Sequence, residues 1–191
     1  MGEGLSGLRP GSREDFDRLY LATHPRLVRT LTAILGDAAA AEDCTQDAFV
    51  RAWRAWPRWR PEAPAEAWLY RIALNVAFSR RRRGQLRELR ERLLGTSAPA
   101  GVEQWVATSP IRQALARLPV KEAAAVMLRH YHGYSRIETA RILGISERAV
   151  NLRLVKAQGI LARELGEDRG RGGPLPAARG SAVPMDEDVI G

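Results

Sequence analysis

At 191 residues, 45% of them hydrophobic, the chain suffices for one domain of ordinary size or two small ones, and no apolar run nears the roughly 20 residues of a membrane span. Thirty basic residues oppose 22 acidic ones for a net charge of +8, which favours a polyanionic partner, although arginine-heavy usage with only two lysines is also what a GC-rich genome produces. The single cysteine, Cys44, excludes an internal disulfide and suits a reducing cytoplasm, and the opening MGEGLSGLRPGS lacks the apolar core of a secretory signal.

In chain order, Phe16, Leu19, Tyr20, Thr23, Leu27, Leu31 and Ile34 recur at the 3–4 spacing of an amphipathic helix, with a bend expected at Pro25 and a break at Gly36-Asp37. A second helix is expected from about Ala38 to Trp56, burying Cys44, Ala48, Phe49, Ala52 and Trp53. Asp43, Gln46 and Asp47 stand at i, i+3 and i+4 and form a polar patch on its other side, flanked by Glu42. Either these are acids favoured by a helix N-terminus, or they are a docking face for a basic protein. Three prolines in PRWRPEAP mark a loop. A third helix from about Ala65 to Arg83 buries Leu69, Ile72, Ala73 and Val76. No segment alternates as a strand does, so the fold class is all-α.

The stretch 95–109, GTSAPAGVEQWVATS, loses periodicity and reads as a flexible linker between two small helical domains, 12–94 and 110–165. Residues 166–191 offer no core positions in register and are expected to form a disordered tail. Blocks of this size bury small cores that are marginal alone.

Aromatics and arginines concentrate in the third helix and the stretch before it: Trp53, Trp56, Trp59, Trp68, Tyr70 and Phe78 beside Arg58, Arg60, Arg71 and the run Arg80, Arg81, Arg82, Arg83. Stacking rings in a cationic groove suit single-stranded nucleic acid. The bland alternatives are core tryptophans and a solvated arginine helix end. Trp59, in a charged proline-rich loop, is expected to resist burial.

The second block ends in GYSRIETARILGISERAVNLRLVKAQGILAREL, the layout of a helix-turn-helix. Ala140 permits close crossing, Gly144 a left-handed turn, and Val150 pins the second helix, for which Ser146 is placed as N-cap. The outward face of that helix presents Arg148, Asn151, Leu152, Val155 and Lys156. The two aliphatics there either meet thymine methyls or bury against another protein. His24, His130 and His132 fall in no metal-ligand spacing, and there is no phosphate-cradling loop or nucleophile elbow, so neither metal, cofactor nor enzymatic activity is expected.

AEDCTQDAFVRAW followed by EAWLYRIALNVAFSRRRR resembles region two of bacterial sigma factors, and LARLPVKEAAAVMLRHYHGYSRIETARILGIS resembles their region four. With a short linker and nothing else between, the layout is similar to the extracytoplasmic-function, or group four, type. The resemblance implies a factor that binds core RNA polymerase and promoter DNA, with an anti-sigma protein as an optional further partner and no membrane contact. It implies that Asp43, Gln46 and Asp47 dock on polymerase. Trp56, Arg58, Trp59, Arg60, Trp68, Arg71, Asn75 and Arg80 to Arg83 would capture and melt the minus-ten element, and Leu118-Pro119 would lie near the polymerase flap. Ser146, Arg148, Asn151 and Lys156 would read the minus-thirty-five element. Two other readings stay open: a stand-alone helix-turn-helix regulator, and a sigma-like protein that binds polymerase or a regulator while reading DNA weakly.

Overall fold

The computed structural model describes residues 5–61, 64–94 and 110–168, and these contain helices and no strand. The expected linker, 95–109, lies outside them, as does the tail beyond 168. The first block holds α1 (Arg13–Leu35), α2 (Ala38–Ala55) and α3 (Ala65–Leu93); the second holds α4 (Pro110–Arg117), α5 (Val120–Val126), α6 (Arg136–Leu143) and α7 (Glu147–Asp168).

Helix ends follow local chemistry. Ser12 accepts the Asp15 N–H to open α1, Asp37 accepts the Ala40 N–H to open α2, and Gly36 takes the left-handed conformation (φ 71°) between them. Pro25 sits inside α1 without ending it. Leu19, Leu27, Leu31 and Ile34 of α1 are fully buried against Ala41, Cys44, Ala48 and Ala52 of α2, whose small side chains bring the helices close, and against Leu69, Ala73 and Leu74 of α3.

Three expectations are corrected. Trp53 is about half exposed, and it is Trp56, in a short 3₁₀ turn continuing α2, that fills the core. Trp59 is buried as well. Helix α3 runs on to Leu93, carried by the Arg87–Glu91 and Glu88–Arg92 pairs on its surface, so Arg80 to Arg83 lie mid-helix and are not a helix end.

The two blocks pack on each other. Helices α4 and α5 lie against α1, and α5 and α6 against α3. Leu118, Ala123, Ala124, Met127, Leu128 and Ile142 thereby join one continuous apolar cluster with the first block.

At the seam sits His132. Helix α5 widens into a π turn over Met127–Tyr131, and His132 follows it, its N–H bonded to the Met127 carbonyl. Arg26 Nη2 lies 3.1 Å from His132 Nδ1, and His132 Nε2 lies 2.8 Å from Thr30 Oγ1. A guanidinium only donates, so Nδ1 accepts, Nε2 carries the proton and donates to Thr30, and Thr30 donates onward to the Arg26 carbonyl. Arg26 also pairs with Glu66 of α3 at 3.1 Å. Tyr70 and Tyr134 close the site, their rings 4.4 and 6.0 Å from the imidazole.

This network admits only a neutral imidazole. Burial, and then the Arg26 guanidinium, push the His132 pKa from 6.5 down to about 4. A base whose pKa is lower folded than unfolded binds its proton more readily when unfolded. Its contribution to stability is therefore intact above pH 6.5 and is lost as pH falls toward about 4. Arg26 is the charged neighbour that strengthens the effect, and it is itself paired with Glu66. Urea unfolding is expected to show on the order of 1–2 kcal/mol of destabilisation from this group between pH 7 and 5. His132→Gln is expected to flatten that slope.

Candidate partner-docking and nucleic-acid surfaces

The acidic face of α2 is as the helical spacing requires. Asp43 and Gln46 are exposed and Asp47 half-buried, on the side away from the α1 contact. Both carboxylates already hold an arginine. Arg51 makes a two-pronged contact with Asp47 at 2.9 and 2.8 Å, and Arg80 of α3 donates to Asp43 at 3.2 Å. Arg80, expected to meet nucleic acid, reaches Asp43 here from α3. Such exposed pairs contribute little to stability, so a partner can displace them. Cys44, behind the patch, has its thiol pKa raised by burial and is a packing residue.

The aromatic group divides in two. Trp56 is fully buried, donates from Nε1 to the Ser12 carbonyl at 2.8 Å, and packs edge-on against Phe16. Trp59 stacks on it with centroids 4.9 Å apart and rings 10° from parallel. Both were expected to meet bases; in this arrangement both are core, stacked on each other and packed against Phe16 and Trp68. Trp59 Nε1 is buried with no hydrogen-bond partner. Trp68, tilted against both rings, keeps part of its surface accessible. Arg58 and Arg60 flank this cluster, exposed. Along α3, Arg71, Asn75 and Arg81 to Arg83 are exposed too.

In the second block Ser135 and Glu138 form a reciprocal capping box at the start of α6, which holds the Glu138 carboxyl below its usual range. Gly144 turns the chain at φ 65°, and Ser146 accepts the Ala149 N–H to open α7. Val150 and Ala157 are fully buried. Arg148 and Asn151 stand exposed at the start of α7, beside Leu152 and Val155, which are 61% and 59% exposed. Ile137 of α6 is half exposed as well, whereas Thr139 takes the inward position with its hydroxyl unpartnered. Lys156 does not face freely outward: its Nζ meets Glu122 of α5 at 3.0 Å.

Two family profiles match, sigma-70 region 2 over residues 19–87 and sigma-70 region 4 over residues 109–157. The ECF RNA polymerase sigma factor SigM of Mycobacterium tuberculosis is 35% identical over 159 residues, 82% of this chain and 80% of its own length. The chain belongs to the ECF sigma factors. SigL of the same organism is 31% identical over 161 residues, covering 75% of this chain and 86% of the relative. Among solved structures, CnrH in complex with the cytosolic domain of CnrY matches with a TM-score of 0.61 at 27% identity, over 83% of this chain and 92% of that one. Bartonella quintana RpoE with the anti-sigma factor NepR shares the fold, with a TM-score of 0.64 at 24% identity over 82% of this chain and 99% of that one.

The region 2 match contains the α2 acidic face, the tryptophan cluster and Arg71 to Arg83. The region 4 match ends inside α7, after Lys156. Among the described residues no group of His, Cys, Asp and Glu could hold a metal ion, and no helix is long and apolar enough to cross a membrane. Sequence reasoning missed His132 and Arg26, whose pairing spans 106 positions and leaves no periodic trace.

The division of the tryptophans is open to direct measurement. Trp56→Ala is expected to cost about 3–5 kcal/mol in urea unfolding, as for other deeply buried large rings. Trp68→Ala is expected to cost less than half of that.

Proposed function

We propose that this chain directs core RNA polymerase to promoters by holding polymerase through α2 and promoter DNA through α3 and α7, without chemistry of its own. The observation that carries this reading is the acidic face Asp43, Gln46 and Asp47 on an otherwise basic protein, set on the region 2 helix beside a cationic, partly aromatic strip. Nonspecific binding to DNA has no use for such a patch, whereas a basic protein partner does.

Strand opening falls to Trp68 with Arg58, Arg60, Arg71 and Asn75, since Trp56 and Trp59 are spent on the core. A base leaving the duplex loses a few kcal/mol of stacking, and a ring with nearby guanidiniums returns about 1–3 kcal/mol per base. Arg81 to Arg83 add phosphate contacts. Arg148 and Asn151, at the N-terminal end of α7, are placed to meet base edges in the major groove of the minus-thirty-five element, with Leu152 and Val155 toward thymine methyls. Ser146 supports them as the cap, and Lys156 joins them where it leaves Glu122. The protein acts where polymerase is, in the cytoplasm. CnrH is held with the cytosolic domain of CnrY, which supports a regulatory protein partner here as well.

The test combines the protein with core RNA polymerase and genomic DNA and maps transcript starts. Discrete new starts are expected, and Asp43→Arg with Asp47→Arg is expected to abolish them together with polymerase capture. Survival of both under that charge reversal contradicts the docking assignment, and polymerase capture without starts favours the sigma-like binder over the initiation factor. Arg148→Ala with Asn151→Ala is expected to lower initiation at those starts about tenfold or more, from the 1–3 kcal/mol of a good base contact.

A further inference from the structure

The arginine run of α3 is divided by the turn of its helix. Arg80 reaches Asp43 of α2, while Arg81 and Arg82 line a cleft of about 760 Å³ between α3 and the α4–α5 turn. Lys121, at the start of α5, lines it too. All three cations are exposed, and none holds a carboxylate among the described residues. The acid in the lining, Glu122, is already held by Lys156 at 3.0 Å. Buried Ile34 and Leu118 and half-buried Phe78 and Val120 give the same cleft an apolar floor. A nucleic-acid backbone has use for the cations and none for that floor. An acidic segment with apolar neighbours uses both.

The chain carries such a segment. Asp186, Glu187 and Asp188 are the only three consecutive acids in the sequence, and Met185, Val189 and Ile190 flank them. The segment lies beyond the described residues, but the place where the chain leaves them is beside the cleft. Arg117, another lining residue, pairs with Glu164 near the end of α7. Asp168 follows about 6 Å further along that helix at 1.5 Å per residue. Residues 169–184 can then bridge up to roughly 55 Å at about 3.3 Å each, so the acidic segment is within reach of the cleft. A tether of this kind holds the segment at an effective concentration around the millimolar range, so even weak contacts suffice.

We infer that the cleft between α3 and the α4–α5 turn is the docking site of this chain's own acidic segment, residues 185–190. Its carboxylates meet Arg81, Arg82 and Lys121, and its apolar side chains meet Phe78 and Leu118. Docked there, the segment stands where phosphates would and holds down affinity for DNA in general. That consequence rests on the promoter-reading function above; the docking itself does not.

Amide NMR relaxation on the full chain reads the docking directly. In the parent, the amides of residues 186–190 are expected to relax with the folded helices. Arg81→Glu with Lys121→Glu is expected to release them, and adding Asp186→Lys, Glu187→Lys and Asp188→Lys is expected to dock them again. Unchanged helix resonances show that each variant is folded. Free-chain relaxation of these amides in the parent, or no release on charge reversal, overturns the inference. A docked signal that fades on tenfold dilution assigns the cleft to a second copy's segment and overturns docking within one chain. Met185→Ser with Val189→Ser and Ile190→Ser leaves the net charge unchanged and is expected to tighten binding to a promoter-free duplex about threefold or more. Equal affinity overturns the competition with DNA. Transcript starts with core polymerase report the promoter-reading function separately, so starts from a parent whose segment is free overturn this inference alone.

Discussion

The constraint on which everything else depends is that neither block has enough interior of its own. The first encloses a three-helix core lined with alanines on α2, and the second has two short helices, α4 and α5, with few large apolar side chains. Small domains bury a low fraction of their surface and are marginal. The chain answers by running one apolar cluster through both, from Leu19 and Leu31 to Met127 and Leu128. A shared core ties stability to domain arrangement: anything that separates the blocks exposes part of the interior of each.

Polar chemistry at the seam makes this arrangement specific where apolar contact alone would tolerate sliding. His132, Arg26, Thr30 and Glu66 satisfy one another in a single proton arrangement, and a half-broken version leaves buried donors and acceptors unpaired.

Features set by short-range chemistry were legible in the sequence: the helical class, the two-block order, Gly144 as the left-handed turn, Ser146 as a cap and Val150 as the inward pin. The acidic α2 face was legible too, since i, i+3 and i+4 spacing fixes a common side. What failed depended on contacts distant in sequence. Trp53 and Trp56 are three residues apart and equally eligible for the core, and only the 3₁₀ turn and the Ser12 carbonyl decide for Trp56. Arg80 and Lys156, read as nucleic-acid residues, also have Asp43 and Glu122 alongside from other helices, which the spacing along one helix does not show. The end of α3 was hidden by Gly84 and an arginine run, whose helical support comes from ion pairs farther on. His132 lies inside the region-four resemblance, but its pairing with Arg26, 106 positions away, left no local signal.

The two exposed aliphatics of α7 fit the same picture. On the proposed function, a recognition helix that offers Leu152 and Val155 beside only a few polar groups reads DNA weakly alone. Two weak anchors on one chain become effective when a third body holds them at the right separation, because the second contact is then intramolecular. Polymerase is that body, and the most direct measurement is the separation itself. Spin labels at Arg54→Cys on α2 and Gln158→Cys on α7, in a Cys44→Ala background, report it by pulsed dipolar spectroscopy. A single short distance is predicted for the free protein, replaced by one tens of ångströms longer in the complex with core polymerase and promoter DNA. The same short distance in an initiating complex would contradict the account.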